Sequence, residues 1–164
     1  MGSDQQDLVL ALAAEYDELR RTMPASGDPT RRMTAVFSRM TAMVGSFTGL
    51  FQELRSSVSP GQRLGAIALL HMFPSARHLD WLAERLDPER EKPFVEYQAA
   101  VGLLQAVRGL PKAECLTLAE ALRRARGLAE RLTTDPPRIR VLDTADSELS
   151  AKCKPESRAY GALS

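Results

Sequence analysis

Histidine, cysteine and aromatic residues are scarce in this chain of 164 residues. It has two histidines, two cysteines and one tryptophan, and aromatic residues make up 5% of the sequence. Cys115 and Cys153 form no Cys-x-x-Cys pair, so the chain has no zinc-ligand or redox motif. Phosphate-binding glycine loops, the His-Glu-x-x-His zinc motif and the Gly-x-Ser-x-Gly elbow are also absent. We therefore expect no metal, no cofactor and no catalytic activity.

Long apolar runs are missing as well. No run reaches the roughly 18 residues of a membrane-spanning helix. Residues 1–4 lack the basic and apolar regions of a signal peptide. These absences predict a cytoplasmic protein that has no membrane partner. In such a protein we expect Cys115 to be a buried structural thiol and not part of a disulfide framework.

Basic and acidic residues are balanced along the whole chain. The 22 basic and 21 acidic residues give a net charge of +1. Blocks 1–58, 59–110, 111–135 and 136–164 each lie within one charge of neutrality. Nucleic-acid binding usually requires concentrated lysine and arginine, so we consider a nucleic-acid partner unlikely. We interpret Glu89 and Glu91, in a loop of mixed charge, as solvated.

The residues that are abundant favour helix. Alanine and leucine together supply 45 residues, whereas isoleucine and valine supply 10. Apolar periodicity, capping residues and prolines predict about six helices, at 4–22, 29–54 with interruptions at Gly45 and Gly49, 62–72, 76–86, 93–108 and 111–132. Arg138 to Leu142 alternate briefly like a strand, and the end of the chain is polar and without period. We predict an all-α domain over 1–135, divided into 1–58 and 59–135, and an extended or disordered tail over 136–164.

An internal similarity links two of these helices. Residues 65–70 (GAIALL) match residues 99–104 (AAVGLL) at an offset of 34, and residues 82–86 (LAERL) match residues 118–122 (LAEAL) at an offset of 36. Small residues let helix backbones approach closely, while larger ones fill the space between helix pairs. The pattern predicts two antiparallel helical hairpins stacked side by side over residues 60–132. A plain helical bundle is the alternative.

This pattern resembles HEAT or armadillo repeats. A second set of segments is similar to a helical module of many actinobacterial and other bacterial proteins: residues 16–20, 30–33, 60–64, 81–85 and 93–97. That module accompanies signalling or conflict-system effectors. The resemblance implies a bacterial adaptor or sensor, with roles in signalling or antiviral defence, whose partner is another protein, such as an effector encoded nearby.

The side chains that could contact a partner are aromatic or lie in the 138–142 alternation. Trp81, Phe94 and Tyr97 would anchor the repeats if buried and would be binding hot spots if exposed. The candidate partner-binding residues are Trp81, Phe94, Tyr97, Arg138, Ile139, Arg140 and Val141. The stripe of Met33, Phe37, Met40, Met43 and Phe47 fits a core face better than a partner face.

We therefore expect a non-enzymatic protein–protein interaction module. One alternative is a nucleic-acid-associated helical repeat protein. It requires six arginines to share one surface: Arg31, Arg32, Arg63, Arg77, Arg124 and Arg131. The other is an enzyme of unrecognised type, which requires a deep cleft with convergent titratable groups such as His78 and Cys115.

Overall fold

The computed structural model describes residues 2–22, 29–131 and 136–155 of the chain, and there it contains helices and turns with no strand. The prediction of an all-α fold is confirmed. Within these ranges there are eight α-helices, not about six: α1 (Gly2–Thr22), α2 (Pro29–Ala42), α3 (Phe51–Arg55), α4 (Pro60–Met72), α5 (Leu79–Glu84), α6 (Pro93–Gly109), α7 (Cys115–Ala129) and α8 (Pro136–Lys152).

Proline starts four of these helices and glycine marks one interruption. Pro29, Pro60, Pro93 and Pro136 occupy the first helical position, where the missing N–H costs no intrahelical bond. The predicted helix over 29–54 is divided after Ala42 by two 3-10 turns, Val44–Ser46 and Thr48–Leu50. The interruption predicted at Gly45 and Gly49 accounts for one of the two extra helices.

Helix α4 lies at the centre and packs against α1, α2, α3 and α6. Its start is capped by Ser59, whose Oγ accepts a hydrogen bond from the N–H of Gln62 at 3.1 Å. A side chain at Gly61 would collide with the main-chain carbonyl of Ala13 in α1. Glycine at this position therefore allows α1 and α4 to approach closely.

The two similar segments lie in α4 and α6, which pack against each other, and α5 packs against α7. Ala66 and Ala68 in α4 and Ala99 and Ala100 in α6 are fully buried. A side chain at Gly102 would contact Leu82 and the ring of His71 at 3.3–3.4 Å. Small residues thus lie where these helices meet, and the interpretation as repeats stays a prediction.

The tail predicted from residue 136 onward is wrong up to Lys152. Residues Pro136–Lys152 form α8, which packs against α6 and α7. Leu142, Ala145 and Leu149 are buried at spacings of three and four residues. A five-residue alternation fits the start of such a helical stripe as well as a strand, and the longer stripe decides for helix. The last part of the predicted tail, residues 156–164, lies outside the described residues.

The bonding of the two cysteines also differs from the prediction of a free thiol. Cys115 and Cys153 form a disulfide that joins the start of α7 to the turn after α8. Both are half-buried, so the prediction of a buried free thiol is wrong. The sequence separation of 38 residues does not predict this disulfide, because the two cysteines meet only when α8 packs against α7.

The methionine and phenylalanine stripe of α2 belongs to the core, as expected. Phe37, Met40 and Phe47 are buried, and Met33 and Met43 pack against the same core. No helix in the described ranges is long and apolar enough to cross a bilayer.

Candidate functional site

An apolar cleft of about 420 Å³ opens where three helices begin. Its walls come from the first two turns of α2 and α6 and the first turn of α8: Thr30, Thr34, Pro93, Phe94, Tyr97, Gln98 and Pro137. Ligand-binding clefts in proteins usually have volumes of roughly 300–1,000 Å³, with mostly apolar walls and a few polar groups. The cleft has the size and lining of such a site.

Two aromatic residues of α6 form the apolar wall. Phe94 is half-buried, and its ring packs on Tyr16 at 5.7 Å and edge-on against Phe37 at 6.4 Å between ring centroids. Tyr97, one turn later on the same helix face, has 36% of its surface exposed. Phe94 is therefore anchored in the core, while Tyr97 presents its ring to the cleft and to solvent.

A buried ion pair sets the position of α8 at this cleft. Arg138 of α8 pairs with Glu96 of α6, and their side chains are 4% and 1% exposed. Burial lowers the pKa of Arg138 from its ordinary value, because an apolar environment disfavours the charged form. The pair joins the first turn of α8 to that of α6, and so holds Pro137 beside Phe94 and Tyr97.

The start of α6 has main-chain donors that no side chain caps. Lys92 is the N-cap residue and makes no side-chain capping bond, and Pro93 follows it. The first N–H groups of a helix lack intrahelical partners and carry a partial positive charge. A carbonyl or carboxylate oxygen of a ligand in the cleft would be a suitable acceptor for them.

Of the predicted partner-binding residues, Phe94 and Tyr97 line the cleft and the other five do not. Trp81 is 9% exposed and packs with its ring centroid 6.2 Å from that of Phe51, with the guanidinium of Arg85 5.0 Å from its own. It belongs to the core, which is the other role that the sequence left open for it.

The 138–142 segment does not offer a strand to a partner. Arg138 is buried, Ile139 and Val141 are half-buried within α8, and Arg140 is exposed. A helical segment does not present the extended main chain that β-strand addition requires, so this structure gives no support for strand addition at this segment.

A second apolar cavity lies at the end of α4. It measures about 260 Å³ and is lined by Thr48, Phe51, Leu69, Leu70, Phe73, Ser75 and His78. The adjoining Met72 and Phe73 are 56% and 53% exposed. The cavity is smaller than most ligand sites, but its exposed aromatic makes it the rival docking surface.

The groups required by the enzyme alternative do not converge. His71 shares a hydrogen bond of 2.7 Å with the carbonyl of Gln98, and burial lowers its pKa. His78 lies 3.3 Å from Arg55, and desolvation is the main cause of its lowered pKa. Cys115 is held in the disulfide, and no group of metal-ligating side chains occurs among the described residues.

The arginines of the nucleic-acid alternative are partly engaged in ion pairs. Arg63 forms a two-pronged pair with Glu91, with N–O distances of 2.6 and 2.9 Å, and Arg124 reaches Glu84 at 2.7 Å. Arg85 also binds Glu91, at 2.9 Å. The side chain of Glu91 is 1% exposed, so its interpretation as a solvated loop residue is wrong.

No direct sequence signal points to Thr34 or Pro137 in the wall of the cleft, or to Glu96 as the partner of Arg138 beside it. Their roles depend on α2 and α8 meeting the start of α6 in space. The double proline at 136–137, followed by a helical apolar stripe, was the signal for α8. Comparison with known proteins finds no matching family model, no matching curated protein and no matching solved structure.

Proposed function

We propose that this protein is a non-enzymatic interaction module that holds a short peptide segment of a partner protein in the apolar cleft between α2, α6 and α8. The observation that carries the proposal is the position of Tyr97: a large, partly exposed aromatic beside Phe94 in a cleft of about 420 Å³. An aromatic ring provides a large contact area with few rotatable bonds, so it loses little entropy on binding.

Two further features favour a peptide as the occupant. The uncapped start of α6 supplies main-chain donors for peptide carbonyl groups. Thr30 and Thr34 of α2 also line the cleft, and their hydroxyl oxygens can accept polar contacts beside the apolar anchor, although the Thr34 hydroxyl donates its proton to the carbonyl of Thr30 at 2.7 Å. An extended segment with one aromatic or aliphatic anchor fits both the walls and the rim.

A role as adaptor or sensor in a bacterial signalling or defence system follows from the sequence resemblance and stays a prediction. It is consistent with a module that binds a peptide and performs no chemistry. The proposal itself depends only on the cleft.

A displayed library of random peptides of about 12 residues tests the proposal, because that length exceeds the cleft when extended. We expect selection on the wild-type protein to enrich peptides with a shared apolar anchor. Their binding should fall at least about 10-fold in Tyr97→Ala, a typical loss for an interface hot spot.

Thr34→Arg provides a second test from another wall, since its long side chain would fill the cleft. Phe73→Ala is the matched control, because it removes an exposed aromatic from the rival cavity. Peptides that depend on Phe73 and not on Tyr97 would contradict the proposal, as would the absence of any enriched sequence. Circular dichroism should show that all three variants keep their fold.

A further inference from the structure

A third cavity, distinct from the one at the end of α4, adjoins the apolar cleft at the Lys92–Pro93 peptide bond. Lys92 lines this cavity, of about 590 Å³, and Pro93 lines the cleft. Tyr16 also connects the two: its ring packs on Phe94, and its hydroxyl accepts a hydrogen bond from Arg20 at 3.3 Å. The linings of the cleft and of the cavity therefore meet at two consecutive residues.

Basic side chains outnumber acidic ones around this cavity. The lining includes five cationic side chains: Arg20, Arg21, Arg63, Arg90 and Lys92. It includes three carboxylates, those of Asp17, Glu89 and Glu91. We call it the basic cavity.

Two of the three carboxylates are occupied by contacts within the protein. Asp17 accepts hydrogen bonds from the Ser59 hydroxyl and from the N–H of Gly61, the latter at 2.7 Å. Glu91 is buried between Arg63 and Arg85. These carboxylates therefore hold α4 and the 87–92 loop in place. Two guanidinium groups compensate the charge of Glu91, whereas the donors to Asp17 are neutral.

Among the cations, Arg20 and Lys92 form no ion pair with any residue that the structure describes. Arg21 pairs with Glu18, and Arg90 lies 3.6 Å from Asp87. Among the described residues, the Arg20 guanidinium contacts the neutral hydroxyl and ring of Tyr16. Of these two cations, Lys92 precedes Pro93 of the cleft wall, and Arg20 is linked to the cleft through Tyr16 and Phe94.

We propose that the partner peptide carries an acidic segment beside its apolar anchor, and that this segment lies over Lys92 and Arg20 in the basic cavity. The inference rests on the proposed function of the cleft. A free small anion is a poorer occupant, because the lining is mixed and the cations are solvated. An acidic segment tethered by the anchor reaches an effective concentration near the millimolar range, at which weak ion pairs contribute.

The test compares a selected peptide with a copy in which each Asp or Glu is replaced by Asn or Gln. Fluorescence anisotropy at low and high salt gives the affinities of both. We expect the acidic peptide to bind the wild-type protein about 10-fold more tightly at low salt, with most of the difference lost at about 0.3 M salt.

Arg20→Gln/Lys92→Gln should bind the two peptides equally. The matched control is Arg123→Gln/Lys154→Gln, which removes the same charge from exposed residues away from both sites. It should still distinguish the peptides as the wild type does. Thermal melts should show that both double variants are folded.

The outcomes separate this inference from the proposed function. Selected peptides that require Tyr97 but have no acidic enrichment, or lose the same affinity in both double variants, would overturn the acidic segment and leave the cleft. Failure to select any Tyr97-dependent peptide would overturn the proposed function and, with it, this inference.

Discussion

The side chains of Cys115 and Cys153 are joined in a disulfide, with Cα atoms 6.1 Å apart, that fixes the end of α8 against the start of α7. Nearby, Lys152 donates a hydrogen bond to the carbonyl of Val107 at 2.6 Å and another to the carbonyl of Leu110. These carbonyls belong to the end of α6, where a cation is favourable. The end of α8 is therefore held by a covalent bond and by a charge.

Breaking the disulfide should lower the free energy of unfolding. For a closed loop of 38 residues, the chain-entropy relation gives about 4 kcal/mol. Urea unfolding with and without a thiol reductant measures the loss. Cys115→Ser/Cys153→Ser should match the reduced protein and should not respond to reductant. An unfolding midpoint that reductant leaves unchanged in the wild type would show that the bond does not stabilise the fold.

The disulfide also bears on the cellular compartment of the protein. Such bonds persist mainly in oxidising compartments, so the bond argues against the cytoplasmic location predicted from the sequence. Acid quenching followed by alkylation of source cells would report the redox state of the two thiols. The location stays a prediction until that state is known.

The sequence predicts best those features of the fold that depend on residues close together in the chain. Periodicity, prolines and caps act within one or two turns, so α1, α4, α6 and α7 were predicted to within a few residues. The interruption near Gly45 was equally local. The helix α8 was missed because residues 138–142 fit both a helical and a strand period, and the polar residues that follow obscured the buried stripe.

The candidate site depends on long-range contacts and could be predicted only in part. Phe94 and Tyr97 were singled out because they are aromatic in a sequence with few aromatic residues. That Tyr97 faces a cleft and Trp81 the core is decided by neighbours distant in sequence, such as Thr34 and Phe51. Glu91 was misassigned for the same reason, since Arg63 lies 28 residues away in the chain.

Removing one partner of the buried pair between Glu96 and Arg138 should be costly. Glu96→Gln removes the buried carboxylate that pairs with the guanidinium of Arg138, and we expect a loss of about 3–5 kcal/mol in the free energy of unfolding. Glu96→Gln/Arg138→Met should recover much of that loss, because neither residue is then charged. Chemical denaturation measures both. A single variant as stable as the wild type would show that the pair does not hold α8 in place.

Stability should fall in mildly acidic solution because of His71. Its side chain is half-buried, edge-on to Phe37 at 5.0 Å between ring centroids, and desolvation lowers its pKa below the ordinary 6.5. The unfolded state then binds a proton more readily than the folded state, so stability is complete above pH 6.5 and is lost as the pH falls through the lowered folded-state pKa.

Urea unfolding between pH 7.5 and about pH 5 tests this linkage. His71→Gln should show a smaller loss over that range than the wild type. His78→Gln is the control for the other histidine, whose pKa desolvation also lowers but whose ring is less enclosed. Equal pH dependence in the wild type and His71→Gln would contradict the assignment to His71.

Two glycines in helices should respond in opposite ways to alanine. At Gly61 the new methyl group would collide with the main-chain carbonyl of Ala13, which cannot move without shifting α1. At Gly127 in α7 a methyl group would meet no atom within 4 Å. We therefore expect Gly61→Ala to destabilise the protein by about 1–3 kcal/mol, as overpacking does. Gly127→Ala should stabilise it by about 0.5–1 kcal/mol, because alanine loses less backbone entropy in a helix. Thermal and urea unfolding of the pair measure the difference, and a stabilising Gly61→Ala would show that α1 and α4 do not approach as closely as described.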